Sequence, residues 1–377
     1  STGLPEKQFQ TRNSLLTDLF EIKHINTIYH IFIVIFNLLL MNVFITDFID
    51  TGTINIGLRP IFSGFKGFHH ALLIWVAMQA YIILLFPAFK LWAATSKKFF
   101  SKRGVMTNAW NFLGVLSAIA YEGFFIYAFT KLIVSFDFGQ AASVSALMEL
   151  VRFLMKSYAF IRTNVPRALN QKKHKKVDSS TEDSEPQETA KRGDKNALAS
   201  GSPRVNEKRP LPTFKCYMYF LFAPTLVYRD EYPRTKQIRW SFVAKCLIEV
   251  LSVIFILSFI SERFMYPYYN QFGSQFYEVG LKEIVGSIFN AMLPGLLCFL
   301  CGFYCVLHSW MNAFAEVLRF GDRMFYRDWW NSTNFSVYYR TWNVIVHDWL
   351  YLYVYRDLYD VVFKKKRFLC QLLVFSL

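Results

Sequence analysis

The sequence lacks the cysteine pattern of a disulfide-stabilised or metal-binding domain. Its six cysteines lie mostly in apolar stretches, where a thiol packs as a small apolar group. They stand at positions 216, 246, 298, 301, 305 and 370. Cys298 and Cys301 have the spacing of a metal or redox pair, but no second pair of that spacing accompanies them. We therefore favour packing for these thiols and predict no metal site.

The first residues also lack the pattern of a secretory leader, in which a basic stretch precedes an apolar core and a small-residue cleavage site. We expect membrane insertion to begin at an internal apolar segment instead. The sequence has no internal repeat and no paired apolar segments broken by Gly or Pro, which are typical of transporters. A transporter is therefore disfavoured.

Acidic residues are few, since 27 Asp and Glu stand against 42 Lys and Arg. In a soluble protein this balance would suggest nucleic acid, but 54% of the residues are apolar and 19% are aromatic. Such a composition indicates contact with lipid or a large ligand cavity, and the positive charge then indicates asymmetric loops between membrane spans. The predicted partner is the lipid bilayer, and no nucleic acid is expected.

Five apolar segments have about the twenty residues that a helix needs to cross a bilayer. They cover residues 27–45, 71–93, 105–134, 242–260 and 284–307. A sixth, 141–160, carries Glu149, Arg152 and Lys156 on one helical face, which favours burial among other helices over lipid contact. A seventh apolar run begins at residue 368. The predicted fold class is an all-α membrane protein, a multi-pass helical bundle of about six spans plus the start of a seventh.

Basic residues indicate the orientation of these spans, because cytosolic loops accumulate Lys and Arg. The short loop before residue 105 contains four basic residues and no acidic one: Lys97, Lys98, Lys102 and Arg103. We therefore place the N-terminal segment and the region after the sixth span in the cytosol. The expected order is a cytosolic segment 1–26, membrane helices 27–162, a cytosolic loop 163–240 with a disordered part 170–212, membrane helices 241–307, a cytosolic-side motif and binding region 308–367, and a truncated helix 368–377.

Residues 172–176 form a basic run inside this polar loop, and the run could attract anionic headgroups or simply be a solvated linker.

Two aromatic motifs stand after the sixth span, FYRDWWN at 325–331 and NVIVHDW at 343–349. Their side chains are too polar for lipid and too apolar for water, so we expect them to pack around a site at the membrane interface. Asn331 and Asn334 each begin a glycan acceptor pattern, which a cytosolic segment cannot use. A glycan on either asparagine would therefore overturn the predicted orientation.

Residues 312–357, which contain both motifs, closely resemble the sterol O-acyltransferase branch of the membrane-bound O-acyltransferases. The stretches FLFAPTL at 220–226 and HINTIYH at 24–30 extend the likeness over most of the chain. Asp328 and Asp348 favour the sterol branch, because diacylglycerol acyltransferases usually have Glu and Lys there. The resemblance implies transfer of a long-chain acyl group from acyl-CoA to cholesterol or another sterol, in the endoplasmic reticulum, by a homodimer or homotetramer. Acyl-CoA would be a co-substrate, and no cofactor is expected.

The resemblance also assigns roles to individual residues. It implies that Asn343 is the catalytic amide, while the histidine that acts as general base is expected beyond Leu377. The implied acyl-CoA contacts are Tyr339, Arg340, Trp342, Asn343, His347, Tyr355 and Arg367. His24 is the implied sterol contact. The motif residues Phe325, Tyr326, Asp328, Trp329, Trp330 and Asn331 are expected to order their segment, with a hydrogen bond between Asp328 and Asn331.

Other interpretations of these residues remain open. His347, four residues after Asn343, could serve as a substitute base. Arg367 could be a membrane-flanking charge, His24 a surface residue, and His308 an interfacial residue at the end of a span. The acceptor could also be diacylglycerol or another alcohol, and a noncatalytic protein that binds sterol or acyl-CoA would share these features.

Overall fold

A computed structural model describes residues 7–100, 104–178, 210–269 and 280–362, together with residues 366, 369, 370 and 373. Within these residues the regular structure is helical, with two isolated β-bridges and no strand. The α-helices are α1 (Leu15–Leu19), α2 (Lys23–Thr51), α3 (Arg59–Gly64), α4 (Phe68–Phe100), α5 (Gly104–Ser135), α6 (Gln140–Asp178), α7 (Phe214–Phe222), α8 (Trp240–Ile260), α9 (Tyr266–Tyr269), α10 (Leu281–Phe303), α11 (Met311–Val317), α12 (Phe335–Trp342) and α13 (Val344–Trp349). Shorter π-helical segments are Ser261–Met265, Tyr304–Trp310, Leu350–Tyr355 and Leu358–Val362, and Trp329–Asn331 is a 3₁₀ turn.

The five long apolar segments are confirmed as helices that are long and apolar enough to cross a membrane. They are Lys23–Thr51, Phe68–Ser96, Asn108–Ser135, Trp240–Met265 and Leu281–Val317. In α2 no side chain is buried, so this helix presents apolar side chains all round, as lipid contact requires. The chain is thus an all-α, multi-pass membrane protein, as the sequence predicted.

The sixth segment is α6, and its charged face lies against protein as predicted. Arg152 forms an ion pair of 2.7 Å with Glu149, which also accepts a 2.7 Å hydrogen bond from the indole of Trp75 on α4. Lys156 is fully buried, and its Nζ lies within 2.8 Å of three backbone carbonyls at the end of α7. Because each charged group has polar partners, the helix can carry them inside the bundle.

The helix α6 continues into the region that the sequence predicts to be disordered. The helix α6 extends to Asp178, so the backbone of residues 170–178 is helical. Residues 179–209 lie outside the described part of the chain. At the other side of the loop Thr213 caps α7 by accepting a hydrogen bond from the backbone of Cys216.

Contacts between the connecting segments divide them into two ends of the bundle. At one end, which we call the motif end, the backbone N–H of Arg12 donates to Gly321 (2.9 Å) and that of Thr235 donates to Arg319 (3.0 Å). At the opposite end Gly139 donates to the backbone of Lys66 (3.0 Å). Six helical crossings separate the N-terminal segment from the motifs, and an even number returns the chain to the end at which it started.

Candidate functional site

The two aromatic motifs are joined by backbone hydrogen bonds at the motif end. The N–H of Arg327 donates to the carbonyl of Thr341 (2.8 Å), and that of Val344 donates to Phe325 (2.9 Å). Phe325 and Tyr326 are almost completely buried, so they anchor the first motif in the bundle. The pairing places the indole side chains of the first motif beside α12, which precedes the second motif.

Trp329 lies at the centre of an aromatic cluster between α10 and α12. Its ring meets Phe303 at 5.0 Å and Trp342 at 4.9 Å, both near edge-on. Trp342 also stacks on Phe299 at 4.7 Å between ring centroids. Edge-to-face and offset contacts of this kind contribute about 0.5–1.5 kcal/mol each beyond burial. The cluster therefore fixes α12 against the membrane helix that leads into the site.

Asn343 separates α12 from α13 and caps the second helix. Its backbone is extended (φ −138°, ψ 90°), and its Oδ1 accepts a 3.2 Å hydrogen bond from the N–H of Val346. Among the described residues its amide N–H groups have no partner. One half of the side chain therefore builds the helix start, while the other half is available to donate to a carbonyl oxygen of a ligand.

His347 begins a column of stacked rings along α13 and the π-helical segment that follows. Neighbouring rings lie nearly parallel, at 6.3 Å for His347 and Tyr351, 5.8 Å for Tyr351 and Tyr355, and 5.9 Å for Tyr355 and Tyr359. The imidazole is about one third exposed, and its Nδ1 lies 3.5 Å from Asp348. The column presents an imidazole at one end and an apolar aromatic face along its length.

The other predicted acyl-CoA contacts lie on the exposed surface of α12 or beyond the described residues. Tyr339 is 52% exposed. Arg340 is also exposed, and it forms no ion pair with any described residue. Arg367 lies outside the described part of the chain. The structure therefore brings Arg340, Trp342, Asn343 and His347 into one helix–break–helix unit.

Four predicted residues make less contact than the sequence suggested. Asp328 and Asn331 are joined by a hydrogen bond, but it runs from the backbone N–H of Asn331 to the carbonyl of Asp328 (3.0 Å). Both side chains are exposed, and the Asp328 carboxylate does not cap the following turn. Trp330 is 42% exposed. His24 is exposed in the first turn of α2.

A buried polar network lies behind the first motif, and no motif in the sequence indicated it. The expectation that His308 is an interfacial residue is wrong, because this side chain is 96% buried, given a relative exposure of 4%. Its Nδ1 lies 2.7 Å from the Tyr326 hydroxyl, and Asn312 donates a 2.9 Å hydrogen bond to Ser14 beside it. Burial raises the pKa of Tyr326, and hydrogen bonds with Ser14 and the Leu16 backbone only partly offset that effect.

The π-helical segment Tyr304–Trp310 explains why the sequence did not predict the burial of His308. A π-turn inserts an extra residue and rotates the following side chains relative to an ideal helix. The regular spacing that predicts the buried face therefore fails at this point. No pattern in the sequence marks the insertion.

The structure offers no metal centre within its described residues, where no three His, Cys, Asp or Glu side chains converge. Cys298 and Cys301 are free, half-buried thiols in α10. Their environment is apolar helix on both sides, as packing requires.

Comparison with known proteins gives consistent matches. Residues 140–377 match the MBOAT, membrane-bound O-acyltransferase family. Sterol O-acyltransferase 1 of Mus musculus is 37% identical over 372 residues, which are 98% of this chain and 62% of that protein. Sterol O-acyltransferase 2 of Homo sapiens is 38% identical over 353 residues, which are 93% of this chain and 59% of that protein. The chain therefore spans about six-tenths of the length of the curated relatives that it matches.

Proposed function

Because the chain belongs to the membrane-bound O-acyltransferase family, we propose that it acts in acyl transfer from a long-chain acyl-CoA to the hydroxyl group of cholesterol or another sterol. The sterol acceptor is supported by relatives named sterol O-acyltransferase that align along 93–98% of this chain. The observation that carries the proposal is the unit of α12, Asn343 and α13, which carries an exposed guanidinium, an amide donor and a partly exposed imidazole.

Arg340 and the aromatic surface next to it suit the two halves of acyl-CoA. The exposed guanidinium has no competing carboxylate among the described residues, so it can bind phosphate oxygens with two parallel hydrogen bonds. The rings of Tyr339, Trp342 and Tyr355 offer apolar surface to the adenine and acyl portions. In this proposal acyl-CoA is a co-substrate that leaves as coenzyme A, and no bound cofactor takes part.

The chemistry assigned to the site is attack of a sterol oxygen on the thioester carbonyl. A general base takes the hydroxyl proton, the new ester bond forms, and the coenzyme A thiolate leaves. The free N–H groups of Asn343 can donate to the carbonyl oxygen, on which negative charge develops. In this proposal His347 contacts the coenzyme A rather than the sterol hydroxyl, so a different residue is the general base.

We assign the motif end to the cytosolic face of the endoplasmic reticulum membrane, where acyl-CoA is available. Positive charge in the short loops supports this orientation. Exposed apolar side chains on α2, α5 and α10 can contact lipid or other copies of the protein, consistent with a homodimer or homotetramer. Reagents that label cysteine placed at Trp329 or Arg340 from the lumenal side only would contradict this orientation.

The test of the function is esterification by the full-length protein in cells that lack sterol esterification activity. We expect labelled fatty acid to appear in sterol esters, and we expect Arg340→Ala to raise the KM for acyl-CoA by about tenfold, corresponding to about 1.4 kcal/mol of lost binding. Lys66→Ala, at the opposite end of the bundle, is the matched control for loss of a surface charge. Preferential esterification of diacylglycerol when both acceptors are offered would overturn the sterol assignment.

A further inference from the structure

The described residues before α1 form an extended segment, 7–14, which crosses the motif end and which we call the N-terminal strap. Its middle is fixed by backbone pairing, since the N–H of Arg12 donates to Gly321 (2.9 Å) and the N–H of Arg323 donates to Arg12 (3.1 Å). Its last residue, Ser14, is completely buried beside the network around His308. The strap is therefore anchored along its length, although Arg12 and its partner Asp322 stand 310 positions apart in the sequence.

The first described residue of the strap reaches α13. The Nζ of Lys7 lies 2.6 Å from Oδ2 of Asp348, and each side chain is only 19% exposed. The other carboxylate oxygen of Asp348 lies 3.5 Å from Nδ1 of His347. Burial raises the pKa of Asp348, but the hydrogen bond from His347 and the charge of Lys7 outweigh it, so the net shift is downward. Lys7, Asp348 and His347 thus form a chain of contacts from the strap to the ring column.

Lys7 also lies near a second carboxylate, that of Asp322. Asp322 is almost completely buried, and it holds Arg12 at 2.6 Å through Oδ1. Its Oδ2 has no hydrogen-bond partner among the described residues and lies 3.9 Å from Lys7. A cavity of about 10 Å³ adjoins these groups and is lined by Lys7, Asp322 and Asp348. That volume is at the lower limit for a single water molecule.

The two cations of the strap, Lys7 and Arg12, thus balance the two carboxylates around this cavity. If Lys7 is removed, Asp322 and Asp348 face the same small space, and of the two strap cations only Arg12, which pairs with Asp322, remains. Partly buried carboxylates in that arrangement repel each other and must find water or move apart. Because Asp348 belongs to α13, such a movement displaces the helix that begins at Asn343.

We propose that Lys7 is a positioning residue for the acyl-CoA site, acting through Asp348 to hold α13, and with it Asn343 and His347, in place. This inference rests on the proposed function, because it concerns the same site. It assigns the N-terminal strap a role in the binding step, with Asp348 as the link between Lys7 and the ring column. Lys7 acts through the charge that pairs with Asp348, and not merely through the volume of its side chain.

The test compares Lys7→Met, Lys7→Arg, Asp348→Asn and the double variant Lys7→Met/Asp348→Asn in the full-length protein. We expect Lys7→Met to raise the KM for oleoyl-CoA about tenfold with a smaller change in kcat, and Lys7→Arg to restore most of the loss. In the Asp348→Asn background the Lys7→Met change should have little further effect, because the two residues act as a pair. Equal KM values for Lys7→Met and the unchanged protein, or fully additive effects in the double variant, would overturn the proposal.

Hydrogen exchange in the absence of acyl-CoA separates this inference from the proposed function. We expect Lys7→Met to speed amide exchange in the peptide containing residues 344–349, whereas Lys66→Met, at the Lys66–Asp137 pair of the opposite end, should leave that peptide unchanged. If the unchanged protein shows no acyl transfer, the proposed function fails while faster exchange still supports the positioning of α13. If exchange in this peptide does not respond to Lys7→Met, Lys7 does not position α13.

Discussion

Substitutions of Asn343 can distinguish the role of its capping oxygen from the role of its amide N–H groups. Its Oδ1 caps α13 through Val346, whereas its N–H groups are assigned to the reacting carbonyl. Asn343→Ser keeps an oxygen that can cap the helix but removes the amide donor. Asn343→Ala removes both, so the two variants should share a catalytic defect and differ in stability.

The expected changes in stability and in rate follow from the two roles of Asn343, as helix cap and as hydrogen-bond donor. Loss of a helix cap costs about 1 kcal/mol, so Asn343→Ala should be less stable than Asn343→Ser by roughly that amount. Loss of one donor to a developing oxyanion typically reduces kcat by about 100-fold or more, equivalent to about 2.7 kcal/mol or more. We therefore expect the unfolding temperature of Asn343→Ser to be close to that of the unchanged protein. Its rate of sterol ester formation should be about one-hundredth of that of the unchanged protein.

The assay measures sterol ester formation at saturating acyl-CoA together with thermal unfolding in detergent. Asn343→Asp is an informative third variant, because it retains the capping oxygen and adds a negative charge at a helix N-terminus, which favours the helix. A Ser or Asp variant with nearly unchanged kcat would show that Asn343 is only a cap and would refute the reasoning.

Two further predictions concern the connections at the motif end. Gly321→Ala should destabilise the protein by about 1–3 kcal/mol, measured by denaturant unfolding, because a Cβ there would lie 2.9 Å from the carbonyl oxygen of Pro233. Glu316→Gln should cost about 3 kcal/mol in the same assay, because it removes the charge that pairs with Arg323 at 2.5 Å and with Arg239 at 3.0 Å.

The matched control for Glu316 is Asp137→Asn. Asp137 also pairs with a cation, Lys66, but its side chain is 90% exposed, so solvent screens the interaction and the stability should hardly change. Equal destabilisation by the two changes would mean that burial does not set the cost of breaking these pairs. An unchanged stability of Gly321→Ala would mean that the loop around Pro233 relaxes freely.

Length and apolar content were sufficient to predict the five membrane helices, because a bilayer sets a minimum length and removes water from the backbone. The spacing of Glu149, Arg152 and Lys156 also predicted that α6 faces protein, since charged groups on one face need common partners. The sequence could not show that α6 continues to Asp178, because polar residues suit both an exposed helix and a loop.

The candidate site was predictable only in part. The two motifs placed Asn343 and His347 four residues apart, and in the structure the N–H of His347 donates to the carbonyl of Asn343, the cap of α13. The buried surroundings of His308 depend on a π-turn, and the contact between Lys7 and Asp348 joins residues 341 positions apart. Neither a shifted helical register nor a long-range ion pair leaves a periodic signal along the chain.

Lys156 allows the helix α7 to end away from solvent. The last carbonyls of a helix ordinarily need water or a capping backbone, yet Phe220, Leu221 and Ala223 are at most 1% exposed. The single ammonium group of Lys156 donates a hydrogen bond to each of these three carbonyls. The helix α7 can consequently end inside the protein, and the chain that follows places Tyr228 and Tyr232 in the same buried core.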